Sequence, residues 1–123
     1  MDQRPPVWVG HVVLTVSDLR RSAEWWRSLG LRPIFDSDDE IAIFELRGGT
    51  HLLLFPGDVP RAGTDAPFDL MVDDIEATRT EWEAHGLTPS ELSAAAGDHL
   101  RFTVRDPDGY TLSVFNSHVV GPV

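Results

Sequence analysis

His11 stands at the head of the apolar run "HVVLTV", and an imidazole there has two chemical uses. It can ligate a divalent cation, or it can exchange a proton near neutral pH as a general base. Both uses need partners. The polar residues on comparable apolar runs are His51 in "THLLLF", Asp69 in "PFDLMV", and Thr111 and Ser113 in "YTLSVF". Asp69 is the sharpest of these, because a carboxylate on an apolar strand is costly unless it is paired or wet. It reads either as the counter-charge for a cationic ligand or as a bridge to an Arg or His. No Ser-His-Asp order, Gly-rich phosphate loop or nucleotide fingerprint is present.

The elements that position these residues come from a duplication. Residues 14–33, "LTVSDLRRSAEWWRSLGLRP", align with 70–89, "LMVDDIEATRTEWEAHGLTP". Leu14/Leu70, Val16/Val72, Asp18/Asp74, Trp26/Trp82, Gly30/Gly86, Leu31/Leu87 and Pro33/Pro89 are identical pairs. Each copy reads as a strand, a helix and three strands. Unit one covers about 8–55 and unit two about 67–116, within one domain of 1–123. In unit one Ser17 can cap the helix with Asp18 in its first turn. Leu19, Ala23 and Trp26 then form one buried stripe, and Gly30 and Pro33 end the helix. "RPIFDS", "EIAIFEL" and "THLLLF" are the three strands, with "RGG" a tight turn. Unit two repeats the order with a helix from about Asp74 to His85, then "TPSELS", "HLRFTV" and "YTLSVF". "DPDG" at 106–109 makes its last hairpin turn. The stretches 56–67 and 93–98 read as flexible loops, and the tail from Asn116 as frayed or docked on a neighbour.

Composition limits what the chain can do. Twenty acidic residues oppose ten basic ones, a net charge of −10, which argues against a nucleic-acid partner. No run approaches the roughly 18 apolar residues of a membrane span, and no signal peptide is visible, so a cytoplasmic location is expected. The absence of cysteine removes disulfides, thiolate metal sites and a cysteine nucleophile.

The duplicated unit, with "HVVLTVSD", the helix ends "GLRP" and "GLTP", and "RDPDGYTLSVF", resembles the vicinal-oxygen-chelate superfamily of glyoxalases, bleomycin-resistance proteins and dioxygenases. The resemblance implies an α+β fold in which two tandem βαβββ units curl their sheets into a cup, and it implies a homodimer. Chelating members place metal ligands on the first and last strand of each unit. Of the four corresponding positions here, His11 matches, but Pro67, Leu53 and Ser113 do not supply a good ligand. His51 and Asp69 lie two residues from the required register, about 6.6–6.8 Å along a strand against a metal bond of about 2 Å. No metal or other cofactor is therefore expected. "EWWRSLGLRPIFDSDDEIAIFELRGGTHLLLF" and "LRFTVRDPDGYTLSVF" are most similar to the metal-free branch, which sequesters bleomycin.

The expected function is metal-independent binding of an aromatic small molecule, cationic if Asp69 is its counter-charge. His11, Val13, His51, Leu53, Asp69, Met71, Thr111 and Ser113 are the expected ligand-binding residues on first and last strands, and Phe44 and Phe102 the walls from the third strands. The alternative is a glyoxalase- or dioxygenase-like metal enzyme that uses His11 with other partners. Trp26 and Trp82 read as core. Trp25 reads as rim or dimer contact and Trp8 as an interface or stacking residue, while His85 and His99 carry no assigned chemistry.

Overall fold

The computed structural model of the chain describes residues 4–95 and 99–117. In unit one, β1 (His11–Val16) leads into α1 (Leu19–Ser28), followed by β2 (Pro33–Asp36), β3 (Ala42–Glu45) and β4 (His51–Pro56). Unit two contains β5 (Leu70–Val72), α2 (Ile75–Ala84), β6 (Ser93–Ala94), β7 (Leu100–Arg105) and β8 (Thr111–Asn116). The two sheets have matching orders, β1-β4-β3-β2 and β5-β8-β7-β6. First and last strands of each unit pair in parallel, and the other pairs are antiparallel. This is the duplicated α+β cup expected from the repeat. Among the described residues no helix is long and apolar enough to cross a membrane.

Each helix covers one face of its sheet. Leu19, Ala23 and Trp26 are buried as the stripe predicts, with Ser22 beside them. The buried residues of both units form one cluster, in which Trp26 is 6.4 Å from Phe68, and Trp82 meets Phe102 edge-to-face. Trp25 packs edge-on against Trp26 at the margin of this core.

Three local expectations change. The cap of α1 is Asp18, whose carboxylate accepts from the Arg21 N–H, as Asp74 does from Ala77 in α2. Ser17 is left free to donate from both its N–H and its hydroxyl to Asp108 in the other unit. The stretch 56–67 is held rather than loose. Its amides at Gly57, Gly63 and Ala66 donate to Val16, Gly109 and Thr111, and Asp65 bridges to Thr111. The run "TPSELS" contributes only its last residue to a two-residue strand, Ser93–Ala94, and residues 96–98 and the tail from residue 118 lie outside the described residues.

The units are joined reciprocally. The turn before β8 contacts the start of α1, through Asp108 with Ser17 and with Arg21 at 3.3 Å. The turn before β4 contacts the start of α2, through a two-pronged Arg47–Asp73 pair at 3.0 and 2.7 Å. Ser17 and Asp73 are equivalent in the repeat. Tyr110 adds a third tie, its hydroxyl donating to the Thr15 carbonyl at 2.8 Å.

Candidate functional site

Side chains alternate along a strand, so the helix-covered face of each sheet fixes which residues the other face presents. On β1, Leu14 and Val16 are buried beneath the helix, and His11, Val13 and Thr15 stand on the open face. On β4, Leu52 and Leu54 are buried and His51, Leu53 and Phe55 are open. Parallel register sets His11 beside His51 and Val13 beside Leu53. The two imidazole rings meet edge-on with centroids 5.8 Å apart.

In unit two, Leu112 and Val114 of β8 are buried, leaving Thr111, Ser113 and Phe115 open. Met71 is in register with Phe115 and 57% exposed. Asp69, two residues earlier, is exposed immediately before β5. The eight residues expected on first and last strands are thus brought to the open faces, apolar and imidazole in unit one and more polar in unit two.

Phe44 and Phe102 are not there. Both are fully buried against the helices. The reason is register: Ile43 pairs with Leu53 and Thr103 with Ser113, so those residues share the open face, and their neighbours Phe44 and Phe102 point to the core. The open face gains other residues instead. Phe35 pairs with Ile43 and is 52% exposed, and Arg101, Thr103 and Arg105 alternate with buried Phe102 and Val104. The period-two pattern of "RFTVR" carried that signal in the sequence.

The donor set does not fit a superfamily metal. His11 and His51 are adjacent, but the remaining ligand positions carry Pro67, Leu53 and Ser113. Among the described residues no group of three or more His, Asp or Glu side chains comes together as a metal site. No catalytic step through a metal follows from this arrangement.

Two clefts lie near the unit junction and reach open-face residues at Glu45 and Met71. One, of about 580 Å³, is lined by Leu31, Arg32, Glu45 and Arg47. The other, about 520 Å³, is lined by Arg47, Met71, Asp73 and Thr78. Ion pairs occupy both, Arg32 with Glu45 and Arg47 with Asp73. The Asp73 carboxyl is held below its ordinary range by the hydrogen bonds and charge of Arg47. Asp106, in the turn before β8, is buried, one carboxylate oxygen accepting from the amides of Asp108 and Tyr110 and the other without a partner among the described residues. Burial pushes its pKa up, the backbone hydrogen bonds oppose that, and the charge of Asp108 adds to it.

His85 and His99 have local roles. The His85 ring contacts the Glu81 carbonyl at the end of α2, and the His99 ring contacts the Asn116 carbonyl and Phe115. Trp8 is 70% exposed ahead of β1.

Comparison with known proteins agrees with the geometry. Lactoylglutathione lyase from Agrobacterium tumefaciens is 20% identical, matches 93% of this chain and 96% of its own, and superposes with a TM-score of 0.77. A glyoxalase/bleomycin resistance protein/dioxygenase from Alicyclobacillus acidocaldarius is 18% identical over 95% and 96%, with a TM-score of 0.74. A glyoxalase/bleomycin resistance protein from Catenulispora acidiphila is 22% identical over 89% and 99%, with a TM-score of 0.68. At these identities the likeness is one of fold. No protein of curated function matches the chain. The sequence model of the Glyoxalase/Bleomycin resistance protein/Dioxygenase superfamily matches residues 8–114, and the chain belongs to that superfamily.

Proposed function

We propose that the protein binds and sequesters an aromatic small molecule on the open face of its sheets, without a metal, in the manner of an antibiotic-resistance protein. One observation carries this reading. Apolar side chains that have no place in the core stand on the open faces, Val13 at 46% exposure beside the His11–His51 pair, Phe35 on the far edge strand of unit one and Met71 in unit two, and among the described residues no ligand set stands with them. Exposed apolar area of this kind marks a binding surface. In this reading His11 donates or accepts one hydrogen bond from the ligand. Asp69 is exposed at the rim, where water screens its charge, and so it supports a cationic ligand only weakly. Two copies of the chain, paired through part of the same apolar surface, would deepen the face into a cavity.

The test is elemental analysis of purified protein together with calorimetric titration of planar aromatic compounds. Binding of one such compound to metal-free protein, lost on replacing Leu53 by Asp, is the expected result. The metal-enzyme reading rests on the adjacent imidazoles. Stoichiometric zinc, nickel, iron or manganese that disappears in His11→Ala would establish it and overturn the proposal. Sedimentation of the protein at micromolar concentration as a monomer would remove the paired assembly.

A further inference from the structure

Unit two offers the ligand something unit one does not. We propose that its sheet binds an anionic group of the ligand, a carboxylate, sulfonate or phosphate, with Arg105 as the main contact and Arg101, about 13 Å further along β7, adding to the positive charge of the same face. The inference rests on the binding reading above and adds the chemical class of what is bound.

Arg101, Thr103 and Arg105 share the open face of β7, and Thr103 and Arg105 are in register with Ser113 and Thr111 of β8. The Arg105 side chain reaches across β8. Its guanidinium lies against Gly63, so that a β-carbon there would stand 3.4 Å from Nη2. Thr111 donates from Oγ1 to the Gly63 carbonyl at 3.2 Å and fixes that stretch of chain. The guanidinium is thereby held at the Thr111 end of β8, and the Thr103 and Ser113 hydroxyls lie two residues further along the same open face. A planar, charged fork of donors suits an oxyanion.

The repeat supplies an internal control. Ile43 pairs with Leu53 as Thr103 pairs with Ser113, so Arg105 corresponds to Glu45. In unit one Arg32 neutralises Glu45. The Pro33/Pro89 match places Thr88 where Arg32 would be, so unit two has lost that partner and reversed the strand charge. Among the described residues neither Arg101 nor Arg105 forms an ion pair, and Asp69 is joined to neither. Two unclaimed guanidiniums on one sheet face, in a chain of net charge −10, constitute a local reversal of sign.

Fluorescence titration with two probes tests this. Anilinonaphthalene sulfonate carries the anion, and phenylnaphthylamine is the same ring system without it. The sulfonate should bind the native protein about tenfold more tightly than the neutral amine, the scale of one charge-assisted hydrogen bond. Arg105→Gln should remove that advantage and leave the amine unaffected, and Arg105→Lys should restore part of it. Circular dichroism would confirm that the variants are folded. Equal affinity for both probes, or a sulfonate preference that survives in the Arg105→Gln, Arg101→Gln double variant, overturns the anion site alone. Failure of both probes to bind overturns the reading of the face and the anion site with it.

Discussion

At the scale of single residues, position relative to the helix decides what a side chain does. Phe44 and Phe102 are core residues, so replacing either by Ala should cost about 3–5 kcal/mol in urea unfolding. Leu53→Ala, on the open face, should cost far less stability and should weaken aromatic binding instead. The parity of first and last strands came from the ligand register implied by the superfamily resemblance at His11 and Leu53, because apolar runs such as "HLLLF" carry no alternation of their own. Parity on the third strands was legible only in "RFTVR"; for "AIFE" it depends on how many residues the turn at Arg47–Gly49 consumes, and a slip of one residue inverts the face. Arg105 was readable from "RFTVR" but lacked meaning until Gly63 and Thr111 were seen beneath it. Asp106 was invisible as a special case, because "DPDG" reads as an exposed turn and its burial appears only in the folded chain. Its raised pKa means that the folded state holds a proton more tightly than the unfolded chain. Its contribution is most favourable below the ordinary carboxylate value of 3.8 and declines as pH rises through the raised value. Asp106→Asn keeps the acceptor for the Asp108 and Tyr110 amides and removes the titration. The stability of the native protein relative to this variant should therefore fall as pH rises from about 3.8; a pH-independent difference in urea melts would contradict the burial argument.

At the scale of elements, the duplicated sequence foretold both helices and their glycine ends, but it put the α1 cap at Ser17 where Asp18 provides it. Asp18 and Asp74 occupy equivalent caps, and Gly30 and Gly86 follow both helices with φ near +94° and +92°, a backbone that favours glycine. Asp18→Ala and Asp74→Ala should each cost about 1 kcal/mol, read by thermal or urea unfolding. Ser17→Ala should leave the α1 cap intact, since Asp18 provides it, and should instead weaken the contact with Asp108. The strands were less legible. Of "TPSELS" only its last residue, Ser93, enters the two-residue strand Ser93–Ala94, where the sequence suggested a full strand. Short polar runs at a sheet edge carry little periodic signal, and tertiary context decides them.

At the scale of the whole molecule, one buried cluster runs through both halves. They are held by the shared core, by the Tyr110 hydroxyl on the Thr15 carbonyl, and by two matching contacts at the helix starts. Tyr110→Phe removes one hydrogen bond from a mostly buried group and should cost about 1 kcal/mol in global unfolding. Arg47 and Asp73 are both exposed, so breaking that pair should matter chiefly at low ionic strength. The superfamily architecture was legible in the repeat, whereas the reciprocity of these contacts was not, because it arises from the approximate symmetry of the folded pair. That reciprocity makes the contact between halves indifferent to covalent connectivity. Unit one of one molecule can clasp unit two of another with the same atoms, and only the connection from Gly57 to Asp69 determines which exchange partner is adopted. Closing such a segment within one chain costs an entropy that grows only slowly with its length, so the native segment permits the closed monomeric arrangement. Deleting several residues from it would remove that option while leaving every clasp atom in place. The shortened protein should migrate in size-exclusion chromatography as a dimer with exchanged halves and near-native circular dichroism.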